Sequence, residues 1–378
     1  MPIRFIATLT AGLGLAGAAQ AEVPKVATDI TPVHSLVARV MQGVGAPSLI
    51  VAPGATPHGY SMRPSEAAAL DAADIVFWIG PELTPWLQDA VGTLAGDAHA
   101  IGLLDAPGTR TLTFRQGATF DAHDHGDEHG HDDHDDDDHD DHEHDEHGHD
   151  HGEDHAHGDD HEHDEHGHDD HGHDHGHDDH AEGHHDHADG HDDHAGHDDH
   201  AGHAHDGIDP HAWLDPANAR TWLSLIAEKL AEHDPENAEL YKANAAEARD
   251  EITSLEAEIA EQLEPIADVP FLVFHDAYQY FEARFDVSAA GAISLSDASD
   301  PSAARIAELR DLAKSRDIAC VFAEPQFDPK LVNTVFDGVA RQGVVDPLAI
   351  GVEPGPDLYP TLLRDMADAL RDCLGDAG

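Results

Sequence analysis

The chain has 378 residues, and its 19 Lys or Arg stand against 78 Asp or Glu, a formal net charge of −59. So negative a surface repels nucleic acid and attracts cations. Past the first two dozen residues no apolar run is long enough to span a bilayer, so no membrane insertion is expected.

The chain opens with MPIRFIATLTAGLGLAGAAQA. Arg4, an apolar run and a closing Ala19-Gln20-Ala21 site read as a secretory signal peptide over residues 1–21. The mature chain should then start near Glu22, in an exported, oxidising compartment, and no Cys stands near the cleavage site to carry a lipid anchor. From Pro24 short strands and short helices alternate. Residues 25–30, 48–51, 75–79 and 100–104 read as strands, and residues 33–40, 63–71 and 85–91 as helices, with Pro64 in a first turn. Such alternation predicts a parallel α/β sheet, whose ligands sit at the carboxyl ends of strands. His58 lies in the Gly/Pro-rich loop that follows the strand 48–51, where a ligand would be. Taken alone, a loop histidine there reads more readily as a solvated surface residue, and it needs partners to be a ligand.

An anomalous stretch follows. Of 37 histidines, 31 fall within residues 123–205, and residues 121–207 hold 36 Asp or Glu with no Lys or Arg. With almost no apolar side chains it cannot offset the ordering cost of about 1–2 kcal/mol per residue, so a disordered loop is expected. Imidazole and carboxylate are both ligands for Zn²⁺ and similar cations. Many weak, shifting sites follow from this composition rather than one built site. A local HxxEH match, His125 to His129, is the kind of accident that such a composition generates. Without this stretch the formal charge is still about −23, and roughly 270 residues remain beside it and the leader, enough for two medium domains.

Folded chain resumes at Ile208-Asp209-Pro210-His211-Ala212-Trp213-Leu214-Asp215-Pro216. Asp209 or Asp215 could orient the His211 ring from behind. Residues 217–233 form one helix. Another runs to about Leu263, with apolar residues recurring every three or four positions from Tyr241, about 42 Å of stiff connector. Alternation then returns. Strand 271–274 ends in His275, and helix 278–285 leads into a Gly/Ser/Asp-rich loop. Helix 302–315, strand 318–323 ending in Glu324, helix 329–341, strand 343–345 ending in Asp346 and helix 358–374 complete the chain. Cys320 and Cys373, the only cysteines, read as a disulfide in an exported protein, the alternative being two buried thiols.

The residues also carry a resemblance. Pro53-Gly54-Ala55-x-x-His58, Tyr60-Ser61-x-Arg63-Pro64-Ser65 and Trp78-Ile79-Gly80-Pro81-Glu82 are its first pieces. Asp209-Pro210-His211-x-Trp213-Leu214-Asp215-Pro216, Phe274-His275-Asp276-Ala277-Tyr278, Ala323-Glu324-Pro325-Gln326-Phe327 and Asp346-Pro347-Leu348 follow in order. Together they resemble the metal-binding solute receptors of bacterial ABC importers, in particular the zinc-uptake receptors, over the whole mature chain. An acidic His-rich insertion before DPHxW is typical of those receptors, and both cysteines match positions that form a disulfide in them.

That resemblance implies two Rossmann-like α/β lobes with parallel sheets, residues 22–233 and 265–378, joined by one long linking helix at residues 234–264. The disordered loop 121–207 is inserted in the first lobe. It implies a metal in the cleft, held by His58 and His211 from the first lobe and His275 from the second. Related manganese receptors use a carboxylate in place of the third His and an Asp that corresponds to Asp346, which makes Asp346, or water, the fourth ligand here. Some zinc receptors place a Glu before the first His; Pro57 closes that option. Glu324 is read as a structural or partner-facing residue. The implied role is capture of Zn(II) in the periplasm by a monomer and delivery to the membrane permease of an ABC importer. A receptor for manganese or iron and a periplasmic metal buffer are the alternatives. Three His with an open position also describes a catalytic zinc site, but no HExxH supplies a general base, so no enzyme is expected.

Overall fold

A computed structural model describes residues 23–115, 117, 119–120, 207–294, 301–328 and 330–375. Residues 1–21, read from the sequence as a signal peptide, and the whole His-rich stretch 123–205, read as a disordered loop, lie outside the described residues. Two sheets, each of four parallel strands, carry the fold. In the first, β1 (Val26–Thr28), β2 (Ser48–Leu49), β3 (Ile75–Trp78) and β4 (His99–Gly102) take the order β2-β1-β3-β4. Helices α1 (Thr31–Val40), α2 (Pro64–Asp71) and α3 (Pro85–Leu94) connect them. The apolar runs of β1 and β3 are fully buried, as expected for strands covered on both faces. Leu70, Leu87 and Val91 from α2 and α3 cover one face, with Ile50 and Val76 beneath.

A 3-10 turn at Ala212–Leu214 leads into α4 (Pro216–His233), which Asp215 caps by accepting from the Ala217 amide. Then comes α5 (Ala238–Leu263), whose buried residues are Tyr241, Ala245, Ala248, Ile252, Leu255, Ile259 and Leu263. This is the single apolar stripe read from the sequence. At 26 residues the helix is about 39 Å long. It packs on α1 and α4 of the first half and on the final helix of the second. Its stripe therefore joins one continuous core that runs from Val26 to Leu374.

The second sheet contains β5 (Phe271–His275), β6 (Ala289–Ser294), β7 (Cys320–Ala323) and β8 (Arg341–Val344) in the order β6-β5-β7-β8. Helices α6 (Gln279–Phe285), α7 (Ala303–Ser315), α8 (Lys330–Phe336) and α9 (Leu358–Leu374) cover it. Two elements correct the sequence reading. Strand β6, Ala-Ala-Gly-Ala-Ile-Ser, falls where the sequence predicts a loop. Small residues give it little strand propensity, and burial on both faces decides instead. Helix α8 stops at Phe336, short of the expected Arg341, because Gly338 turns the chain at φ 69° and Arg341 already pairs with Cys320 in β8. Gly343 lets β8 lie close: a Cβ there would meet the Phe322 ring at 2.6 Å.

Long-range contacts close the chain on itself. Thr31 Oγ1 donates to Leu348 O at 2.6 Å, and the Ser35 hydroxyl accepts from the Tyr359 amide at 2.9 Å. Cys320 and Cys373 form a disulfide between β7 and α9. It closes a loop of 53 residues, worth about 4 kcal/mol on the chain-entropy view. Replacing both cysteines by Ala is expected to lower the stability of the metal-free protein by about 2–4 kcal/mol. Denaturant midpoints of the two proteins check this; equal midpoints would show that the packing of α9 suffices without the bond.

Candidate metal centre

Of the predicted ligands, His58 and Asp346 follow strands β2 and β8, and His211 precedes the 3-10 turn that leads into α4. His275 is the last residue of β5 and is 2% exposed. Strand β7 runs beside β5 in a register that pairs Phe271 with Cys320 and Val273 with Phe322. The same offset carries His275 onto Glu324, one residue past β7. Glu324 is equally buried, and its Oε1 lies 2.6 Å from His275 Nδ1. Gln326 Nε2 donates to its other oxygen at 2.9 Å. Glu324 thus faces inward and holds a histidine; it is not a partner-facing residue.

His211 sits just before the 3-10 turn and is 4% exposed. Asp209 Oδ1 accepts from its backbone amide at 2.9 Å and lies 2.7 Å from its Nδ1. Of the two aspartates expected to orient the ring, Asp209 does so. Asp215 caps α4 and accepts from Arg284 Nε and Nη2 at 2.8 and 2.9 Å. The Trp213 ring packs 5.2 Å from that of His211, centroid to centroid.

These two supports aim the rings at each other. His211 Nε2 and His275 Nε2 are 3.4 Å apart. With each Nδ1 hydrogen donated to a carboxylate, each Nε2 turns its lone pair toward the other. Facing lone pairs in a buried site repel unless a cation lies between them. Two nitrogens bound to one tetrahedral Zn²⁺ at about 2.0–2.1 Å lie about 3.3–3.4 Å apart. The spacing and the donor chemistry therefore suit a zinc ion.

His58 completes the row from the loop after β2. Its ring centroid is 5.7 Å from that of His211, which is in turn 5.3 Å from that of His275. His58 is only partly buried. Its loop is anchored beside it, where Trp86 Nε1 donates to Pro57 O at 2.7 Å. The loop of Asp346 is pinned to the His211 turn by Trp213 Nε1, which donates to Pro347 O at 2.8 Å. The Asp346 carboxylate accepts the Leu348 and Ile350 amides at 3.0 and 2.6 Å. Burial raises its pKa against the pull of those amides. Burial, with the charges of Glu324 and then Asp346, holds the Tyr278 phenol well above its usual range, so both carboxylates act on this region. Among the described residues, no group of three or more His, Cys, Asp or Glu is drawn tightly enough to hold a metal ion. Two nitrogens are set for a cation, and His58 stands next to them.

Carboxylates behind metal-bound imidazoles typically change affinity about 10–100-fold when altered. Glu324→Gln is expected to weaken metal binding by about that factor while the metal-free protein keeps its melting temperature within a few degrees. Calorimetric titration against wild type checks it. Unchanged affinity would mean that the His275 ring needs no anionic support.

The family described as ZnuA, zinc-uptake complex component A, periplasmic, matches residues 26–373. The high-affinity zinc uptake system protein ZnuA of Brucella abortus (strain 2308) is 43% identical over 350 residues, 92% of this chain and 91% of that protein. The protein of the same description from Paracoccus denitrificans (strain Pd 1222) is 45% identical over 370 residues, 97% of each. Among solved structures, a crystal structure of ZnuA superposes with a TM-score of 0.62 at 19% identity, covering 93% of this chain and 100% of that one. The Pseudomonas aeruginosa protein FpvC in complex with Mn²⁺ gives 0.65 at 15% identity, covering 94% and 100%. These two likenesses show a shared fold. A match along nearly the whole chain, with relatives above 40% identity over almost their full length, makes this chain a member of the ZnuA family of periplasmic zinc-uptake components.

Proposed function

We propose that the protein captures Zn²⁺ in the periplasm with high affinity and delivers it to the membrane permease of an ABC importer. The observation that carries this is the pair of buried Nε2 atoms 3.4 Å apart, each imidazole backed by a buried carboxylate. His58, His211 and His275 supply three ligands, and Asp346 is the candidate for the fourth position. The residues before and after α5 form two lobes, 22–233 and 265–378, which need only small adjustments about that stiff helix. The signal peptide 1–21 is removed on export, and the receptor works as a monomer. The His-rich stretch adds weak zinc sites that gather the ion when supply is low.

Several features support transport over catalysis. A zinc hydrolase needs a free carboxylate base beside an open metal position. Glu324, the glutamate at this site, is already engaged by His275 and Gln326. Neutral imidazoles are borderline donors suited to zinc, whereas manganese prefers more oxygen ligands.

Replacing His211 or His275 by Ala is expected to abolish tight Zn²⁺ binding, and His58→Ala to weaken it by at least about 100-fold, by calorimetric titration with chelator competition. Asp346→Ala separates the last option: a loss beyond about 10-fold marks a ligand, and a smaller one leaves water in the fourth position. Tighter binding of Mn²⁺ than Zn²⁺ by the wild-type protein would sink the zinc assignment. Binding should also weaken as pH falls through about 6.5, where free imidazole takes up its proton and stops being a ligand. Deleting residues 123–205 should leave the tight site intact and reduce growth on limiting zinc less than His58→Ala does. The reverse order of severity would favour a metal buffer.

A further inference from the structure

Behind the histidines lies a polar junction that the zinc site itself does not use. The chain segments that flank the His-rich insertion, residues 112–115 and 207–209, pair with each other. Phe114 N donates to Gly207 O at 3.2 Å, and Asp209 N to Leu112 O at 2.8 Å, around an antiparallel bridge between Thr113 and Ile208. Gln279, the first residue of α6, reaches into this neck from the second half and is 8% exposed. Its Nε2 donates to Thr113 O at 3.0 Å and to Asp209 Oδ2 at 3.1 Å. The neighbouring Tyr280 hydroxyl donates to Asp209 O at 2.7 Å and accepts from Leu112 N at 2.9 Å.

The two oxygens of Asp209 therefore have separate partners. Oδ1 serves the amide and Nδ1 of His211, and Oδ2 serves Gln279. The terminal torsion of an aspartate is broad and nearly two-fold, so the carboxylate is not fixed by its own rotamer. A buried carboxylate oxygen left without a donor turns toward one. In this pocket that rotation would carry Oδ1 away from Nδ1 and swing His211 Nε2 off the metal position. Gln279 supplies the donor that prevents it. Its contact with Thr113 O ties the same amide to the neck of the insertion, so the neck and the metal ligand share one anchor.

We infer that Gln279 is a positioning residue for metal capture, acting on His211 through Asp209. This rests on the zinc-site reading above.

The test is a double-mutant cycle on the full-length protein: wild type, Gln279→Leu, Asp209→Ala and the double variant, each titrated with Zn²⁺ under chelator competition. Gln279→Leu keeps the volume and removes both donors. It is expected to raise the Zn²⁺ dissociation constant by about 5–30-fold, below the upper range for groups in direct contact with a ligand. On the Asp209→Ala background the same change is expected to alter it by less than about twofold, because the carboxylate through which it acts is gone. The visible spectrum of bound Co²⁺ should shift in Gln279→Leu, which a merely less stable fold would not produce. Gln279→Met, unbranched and of similar length, is measured beside it in case the branched side chain disturbs the neck, with the same expectations. Equal losses on both backgrounds, or no loss in either Gln279 variant while His211→Ala abolishes tight binding, overturn the inference. If His211→Ala itself leaves tight binding intact, the zinc-site reading fails and this inference goes with it.

Discussion

The candidate metal centre depends on two buried carboxylate–imidazole contacts. Asp209 and Glu324 each hold the Nδ1 of one histidine and so direct its Nε2 inward. Without those carboxylates the rings could rotate, or take the tautomer that puts a hydrogen where a ligand lone pair is needed. With them, the two Nε2 atoms are held facing each other beside two buried carboxyl groups, in a region shielded from water. A divalent cation between the two nitrogens would offset the repulsion of facing lone pairs, an arrangement that the histidines of residues 123–205, as read from composition alone, do not fix.

The supports stay in place because the scaffold behind them is cross-braced. Arg115, just ahead of the insertion, is largely buried and donates to both Asp276 and Glu282; its Nη1 lies 2.6 Å from Glu282 Oε2. Burial alone would lower its pKa, but Glu282 and Asp276 outweigh that and raise it, so the guanidinium stays charged. Its planar face lies over Phe120 at 3.9 Å. Removing one member of such a buried cluster typically costs about 3–5 kcal/mol, since the others are left charged and dry. Asp276 follows His275 directly, so the segment before the insertion is fastened next to one of the two facing histidines. The Thr119–Gly291 bridge and the Phe120 amide, which donates to Ala290 O, fasten it again at the edge strand β6.

Much of this architecture is legible in the order of the residues. Period and punctuation mark both sheets and nearly every helix, and the apolar stripe of α5 follows from its spacing residue for residue. His58 and His275 stand out because each lies at or after the end of a strand of a parallel sheet, and His211 because folded chain resumes around it just before a helix. Asp209 is readable too, since a carboxylate two residues before a turn histidine can reach back to it. What stays hidden does so for physical reasons. The six residues of β6 are small, and only neighbouring strands make them a strand. Glu324 is visible at a strand end and reads as either structural or partner-facing, because residue order does not reveal that β7 lies next to β5. Once that neighbour is known, register alone brings Glu324 to His275. Gln279 and Arg115 carry no signal, because their partners lie far away in the chain and meet them only when the halves are joined.

The closure between the first and last helices bears on how the chain becomes a protein. Helix α1 buries nearly all its residues, yet part of its cover is α9, and its hydroxyls bond to residues more than 300 positions later. A chain that emerges N-terminus first cannot complete that core until its last thirty or so residues arrive. Contacts of such sequence separation slow folding, so the first sheet should persist as an incomplete, sticky intermediate. During that interval the two facing histidines are also apart, since His275 has yet to meet His211. The last helix therefore completes the core of both halves, and a chain truncated before α9 would lose the cover of α1 and α5 and, with it, the support that holds the two facing histidines.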